Sequence, residues 1–151
     1  MKIIPLSEGA FTIDQTKVFV PFDITKDKLQ ERPRGSLLVE IQPFLVVTQN
    51  DVILLDTGLG FMNNGVMQLH ENLALHGFST NDVTKVLMSH LHRDHSGGLT
   101  LEDPYHHTWH LGFSNATVYV HHKELDFALY GQNASYDSER LKILEHNDKL
   151  V

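Results

Sequence analysis

The segment Ser89–Gly98 reads SHLHRDHSGG, and no other stretch of the 151 residues restricts the fold so tightly. Three histidines and one aspartate fall within six positions. The chain holds 11 histidines and 11 aspartates, so four such residues at fixed offsets would arise by chance in roughly 0.004 of chains of this length and composition. A solvated polar loop is the plain alternative, and chance is a poor account of the spacing. In an extended segment residues two apart point the same way, so His90 and His92 can share one metal ion. Gly97 and Gly98 allow backbone angles closed to other residues, and a sharp turn there can aim Asp94 and His95 at a second position. His-x-His cannot put both rings on one helical face, which separates this motif from the helical His-Glu-x-x-His arrangement.

Such a motif needs a strand to deliver it, and the flanking sequence supplies one. TKVLMSH reads as a buried strand running directly into the histidines. Upstream, SLLVEI, FLVVT and DVILLD are short, apolar and branched, and the last two are separated by Gln49-Asn50, the chemistry of a tight hairpin. From Gly65 the period changes: Val66, Leu69 and Leu73 fall on one helical face and Gly77 sits as a C′ stop. ATVYVH is a further strand and KELDFALYG a short helix ending at Gly131. Alternating strands and helices predict an α/β layered domain. The first 35 residues are mixed, with β-like pieces (FTI, KVFV) and a charged loop broken at Pro33 and Gly35.

Composition narrows the chemistry. There is no cysteine, so any metal must be held by imidazole and carboxylate, a set that suits zinc, with iron or manganese as alternatives. A formal charge of −7 without a basic cluster argues against nucleic acid as a partner. Pro5 and Glu8 interrupt any signal-like apolar run and no transmembrane stretch is visible, so the expectation is a cytoplasmic protein with no membrane partner.

His90-x-His92-x-Asp94-His95 followed by Ser96-Gly97-Gly98 resembles the signature of the metallo-β-lactamase superfamily of metal-dependent hydrolases. VILLDTGLG is similar to the family's strand ending in Asp-Thr-Gly, and the helix and strand before the motif and the NATVYVHHKELDFA segment after it resemble the family's order, from about residue 36 to about residue 130. The resemblance implies that His90 and His92 bind a first metal and Asp94 and His95 a second. Asp94 would also orient the attacking hydroxide and pass a proton to the leaving group. It implies that Asp56 supports the metal loop through hydrogen bonds without binding metal. The imidazole at His92, where relatives with two irons carry a carboxylate, favours hydrolysis, and SHLHRDHSGG is closer to the lactonase-like branch than to the nucleic-acid-processing one. The expected reaction is attack of a metal-activated hydroxide on a carbonyl (ester, lactone or thioester) or phosphoryl centre of a small-molecule substrate.

One departure is plain. The family's further downstream histidines, its Gly-His-Thr/Ser-x-Gly-His segment and its bridging aspartate have no counterpart here. His146 lies 51 positions after His95 but in an unrelated context, and His106, His107 and His110 fall in a stretch read as a loop that could line the cleft. Residues 1–151 are therefore expected to form a single incomplete domain, the amino-terminal half of a four-layer αββα sandwich. The chain could be a fragment, a proteolytic product, or a short protein that pairs with another copy. The apolar strands should leave sheet surface to be covered by a carboxy-terminal half or a second subunit. The alternative to a hydrolase is a non-catalytic metal-binding or assembly fragment whose activity needs that missing half.

Overall fold

The amino-terminal third of the chain is one long bent ribbon. The computed structural model describes all residues, Met1–Val151. Strands β1 (Lys2–Pro5) and β2 (Gly9–Ile13) run antiparallel to β5 (Phe44–Val47) and β4 (Leu37–Ile41). Bonds from Leu6 N to Pro43 O and from Glu8 N to Ile41 O, both 2.8 Å, carry the pairing through the bend. Strand β3 (Phe19–Pro21) extends the far end into a three-stranded sheet of order β3-β2-β4.

At the near end β5 forms a hairpin with β6 (Val52–Leu55) through the Gln49-Asn50 turn. Next comes a small hairpin of β7 (Met62–Asn63) and β8 (Val66–Met67), and then helix α1 (Gln68–Leu75). The chain returns as β9 (Lys85–Leu87), parallel to β6. It passes through the short helix α2 (Arg93–Ser96) and the hairpin of β10 (Thr100–Asp103) with β11 (Thr108–Leu111). It re-enters the sheet as β12 (Thr117–Tyr119), parallel to β9. Helices α3 (His122–Tyr130) and α4 (Ser138–Leu141) follow. The main sheet has the order β1-β5-β6-β9-β12.

The register aligns one apolar row across all five strands: Ile4, Leu45, Leu54, Val86 and Val118 are direct neighbours and each is at most 3% exposed. Leu69 and Leu73 of α1, Ala128 of α3 and Leu141 of α4 join the same cluster. At about 1.5–3 kcal/mol for each large side chain fully buried, this row is the dominant local stabilisation. Helices α1, α3 and α4 contribute to that one side. On the opposite side Val46, Ile53, Leu55, Leu87 and Tyr119 are only partly buried and Ile3 is exposed. The chain is thus a sheet with helices on one face, the α/β half-sandwich expected from the strand pattern. No helix is long and apolar enough to cross a membrane.

Two local readings need correction. Val66 and Met67 belong to the β7–β8 hairpin, and helix α1 starts at Gln68. Val66 fits the helical period but lies in the strand, exposed. The YHHTWH stretch is not a loop: Thr108–Leu111 pair with Thr100–Asp103. His106 and His107 stand at the hairpin tip, bonded to Asp103 (2.8 Å) and Glu102 (3.0 Å). On α1, His70 has its Nε2 buried without a partner, and that burial lowers its pKa.

Candidate metal centre

Parallel pairing puts the carboxyl ends of β6 and β9 side by side, and the candidate residues follow both strands. Asp56 N donates to Leu87 O at 3.0 Å, extending the ladder by one bond. Asp56 then turns with φ +56°, a left-handed conformation that aspartate tolerates better than most residues. Its carboxylate comes to face the start of the motif. Oδ1 accepts from Ser89 N (2.7 Å), and Oδ2 accepts from Ser89 Oγ (2.7 Å) and from His95 Nδ1 (2.8 Å).

These bonds assign tautomers. An ionised carboxylate only accepts, so His95 carries its proton on Nδ1 and keeps a lone pair on Nε2, 3.6 Å from Asp94 Oδ2. Ser89 Oγ, having donated to Asp56, accepts from His90 Nδ1 at 3.1 Å, which likewise leaves His90 Nε2 free. Burial disfavours a charged His95, but the bond and charge of Asp56, then the charge of Asp94, outweigh it and raise its pKa. Burial also works against charge on Asp56, and there too the bonds from His95 and Ser89 win, so its pKa is lowered. His90 is held below the usual histidine range by burial, then by His95 and His92.

The structure brings His90, His92, Asp94 and His95 to one place. The His90 ring centroid lies 4.5 Å from that of His92 and 4.0 Å from that of His95. Three imidazoles, one carboxylate and an oriented Nε2 on two of the rings make a donor set of the right chemistry for a divalent ion. No three histidine, aspartate or glutamate side chains converge on one point as a complete ligand set would. The donors fit a metal in kind and fall short in number. His106 and His107 are committed to their hairpin, and His121 and His122 are exposed and stacked on each other.

The loop after Asp56 is locked to the motif from below. Thr57 N and Oγ1 both donate to His95 O (2.7 and 2.9 Å), and Gly97 N donates to Gly58 O (2.8 Å). Gly97 has an ordinary helical φ of −61°. The two glycines therefore serve close backbone approach: a Cβ on Gly97 would lie 2.0 Å from Leu59 O, and one on Gly98 2.4 Å from Thr57 O. The chain does turn over residues 97–99, with Leu99 N donating to Ser96 O at 3.0 Å, but neither glycine takes a positive φ. Arg140 Nη2 donates to Gly97 O (2.7 Å) and Thr100 O (3.0 Å), with its guanidinium 4.5 Å from the Trp109 ring centroid.

Two further carboxylates escaped the sequence reading. Glu8, 6% exposed, accepts from Leu59 N (2.5 Å) and Phe61 N (3.2 Å) and so fixes the same loop. Glu124 accepts from Leu91 N (2.8 Å), between the first two histidines. Neither belongs to a local pattern, because each acts on backbone 33 or more residues away. Ser89 was within reach, as the hydroxyl residue directly preceding His90.

A cavity of about 210 Å³ opens beside the motif, walled by His92 and Asp94 on one side and by Ile13, Phe19, Leu37 and Val39 of the three-stranded sheet on the other. A second, about 290 Å³, reaches Asp56, Asp94 and His95 along β4.

Comparison with known proteins bears on the fold. Among solved structures, AidC, a dizinc quorum-quenching lactonase in complex with a product, is 25% identical, with a TM-score of 0.66 over 99% of this chain and 56% of its own. A probable metal-dependent hydrolase from Staphylococcus aureus is 21% identical, with a TM-score of 0.69 over 99% and 57%. A quorum-quenching N-acyl homoserine lactone lactonase is 21% identical, with a TM-score of 0.62 over 99% and 56%. The chain thus spans a little over half the length of the structures it matches. No curated protein sequence matches it significantly. The family model described as the metallo-beta-lactamase superfamily matches residues 40–138, the span that holds Asp56, the histidine motif and Glu124, and the chain belongs to that superfamily.

Proposed function

We propose that this chain carries one half of a binuclear hydrolase centre, with His90 and His92 holding one divalent ion and Asp94 and His95 a second. Zinc is the first choice, and iron or manganese would accept the same donors. The observation that supports the reading is the His95–Asp56–Ser89–His90 bond chain, which engages the Nδ1 side of two imidazoles and leaves their Nε2 atoms free to bind an ion. An ion bound there supplies a water of lowered pKa and a Lewis acid for the substrate oxygen. Asp56 keeps His95 in one tautomer, and Asp94 orients the nucleophile and takes or returns a proton at Oδ2. The apolar wall of Ile13, Phe19, Leu37 and Val39 would seat an acyl tail, leaving an ester or lactone carbonyl at His92 and Asp94. The lactonases among the similar structures favour that class over phosphoryl substrates.

A second reading rests on the ligand shortfall. A catalytic zinc normally has three protein ligands, and each ion here would have two. In that reading the chain is a metal-binding or assembly module, and the remaining ligands come from a further segment or a second subunit.

Turnover by the chain separates the two. With zinc, an acyl lactone, an acyl thioester and an aryl phosphodiester are offered to the wild type and to Asp94→Asn. Slow opening of the lactone, dependent on zinc and lost in Asp94→Asn, supports the hydrolase reading. Zinc binding with no turnover at all supports the module. Turnover that ignores both zinc and Asp94 contradicts both.

A further inference from the structure

His90 and His92 can serve one site only while Leu91 between them stays extended, and two groups outside the motif act on this short stretch. Leu91 is fully buried, and its N–H donates to Glu124 Oε1 at 2.8 Å from the first turn of α3. Its carbonyl accepts from Ser96 Oγ at 3.1 Å. Tyr136, 8% exposed, sets its ring edge-on against His92 (centroids 4.7 Å, 74°) and against Phe127 of α3 (5.5 Å, 71°). The neighbouring Ser135 O accepts from Arg93 N at 2.9 Å. Burial, and then the nearby Glu124 carboxylate, raise the Tyr136 pKa.

The geometry points to Glu124 and Tyr136 as positioning residues, Glu124 fixing the backbone at Leu91 and Tyr136 fixing the plane of the His92 imidazole. Neither touches the reacting atoms. A carboxylate accepting a backbone N–H is a charge-assisted bond, stronger than a neutral one. It holds the backbone of Leu91 between the two rings, so a change at Glu124 acts on both imidazoles. The aromatic edge confines His92 to one orientation where solvent alone would leave the ring free to turn. The proposal rests on the reading of His90 and His92 as metal ligands only for its effect on metal affinity, and its structural part stands by itself.

The test uses the metal-free 151-residue chain by NMR, then the same samples titrated with cobalt(II). In the wild type the Leu91 amide should be protected from exchange and the His92 ring protons shifted by the Tyr136 ring current. Glu124→Ala should raise Leu91 exchange about tenfold or more, while Glu124→Gln, which keeps an acceptor, should restore most of the protection. Tyr136→Leu should abolish the His92 ring shift and Tyr136→Phe should keep it. With cobalt, Glu124→Ala and Tyr136→Leu should weaken binding by about 10-fold to 100-fold, with Gln and Phe close to wild type. A dispersed spectrum for each variant shows that it is folded. Unchanged Leu91 exchange in a folded Glu124→Ala, with an unchanged His92 shift in Tyr136→Leu, would overturn the positioning role even if cobalt binds at His90 and His92. The expected NMR changes with cobalt affinity unmoved would uphold the positioning role and overturn the ligand reading.

Discussion

Glu8 makes the stability of this chain depend on pH in a direction opposite to the usual carboxylate. Its side chain is 6% exposed, and burial raises its pKa from 4.5 to about 7 against the opposing bonds from Leu59, Phe61 and Gly60, with no charged side chain among the causes. At about 1.36 kcal/mol for each tenfold change in proton affinity, that difference is worth about 3 kcal/mol. The sign follows from counting protons. Below pH 4.5 both folded and unfolded chains carry the proton and Glu8 contributes no slope. Between 4.5 and 7 the folded chain holds a proton that the unfolded chain has released, so stability falls as pH rises. Above 7 both are ionised and the loss is complete. Glu8→Gln removes the titration while keeping the shape, so other ionising groups cancel in the comparison. Urea unfolding followed by circular dichroism, for both proteins from pH 4 to pH 8, gives the difference directly. Wild-type stability minus that of Glu8→Gln should fall by about 3 kcal/mol across the range. A flat difference would mean that the carboxylate is solvated in the folded chain. A rising one would mean that the backbone bonds to Leu59 and Phe61 outweigh burial.

Two further predictions concern the motif. Asp56→Ala strips the acceptor from Ser89 and His95, so it should cost about 1–3 kcal/mol in unfolding experiments and lower the His95 pKa seen by NMR titration; Asp56→Asn should be milder, because asparagine tolerates the left-handed backbone at this position. A His95 pKa unmoved by Asp56→Ala would refute the assigned bond. Gly97→Ala should cost at least about 1–3 kcal/mol despite a backbone angle that suits alanine, because the new methyl meets the Leu59 carbonyl; thermal melts no different from wild type would show that the loop can retreat.

The parts of the fold that could be read from sequence were those written in neighbouring residues. The β5–β6 hairpin, strand β9 and helix α3 stand where apolar runs and turn residues put them. The His90–His95 cluster and Asp56 meet because β6 and β9 are parallel neighbours, a consequence of the α1 crossover that alternation alone implies. Histidines hid β11: Thr108–Leu111 alternate as a strand, but His106, His107 and His110 make the stretch look like a polar loop. Val66 satisfied a helical period while lying in β8. Gly97 and Gly98 were rightly marked as special but for the wrong cause, since backbone contact with Leu59 and Thr57 is invisible without the tertiary fold. Glu8 and Glu124 were invisible for the same reason. Each looks like any surface acid until the chain folds a distant amide onto it.

Zinc titration calorimetry on the 151-residue chain tests the central claim most directly, comparing the wild type with His90→Ala, His92→Ala, Asp94→Ala and His95→Ala. A half-site of two plus two ligands should bind zinc weakly, and each substitution should lower the affinity by at least about tenfold. Tight binding of two ions by a monomer would contradict the two-plus-two count and require ligands such as His146 or the His106–His110 hairpin. Binding that none of the four substitutions disturbs would place the metal elsewhere and remove the basis of the hydrolase reading.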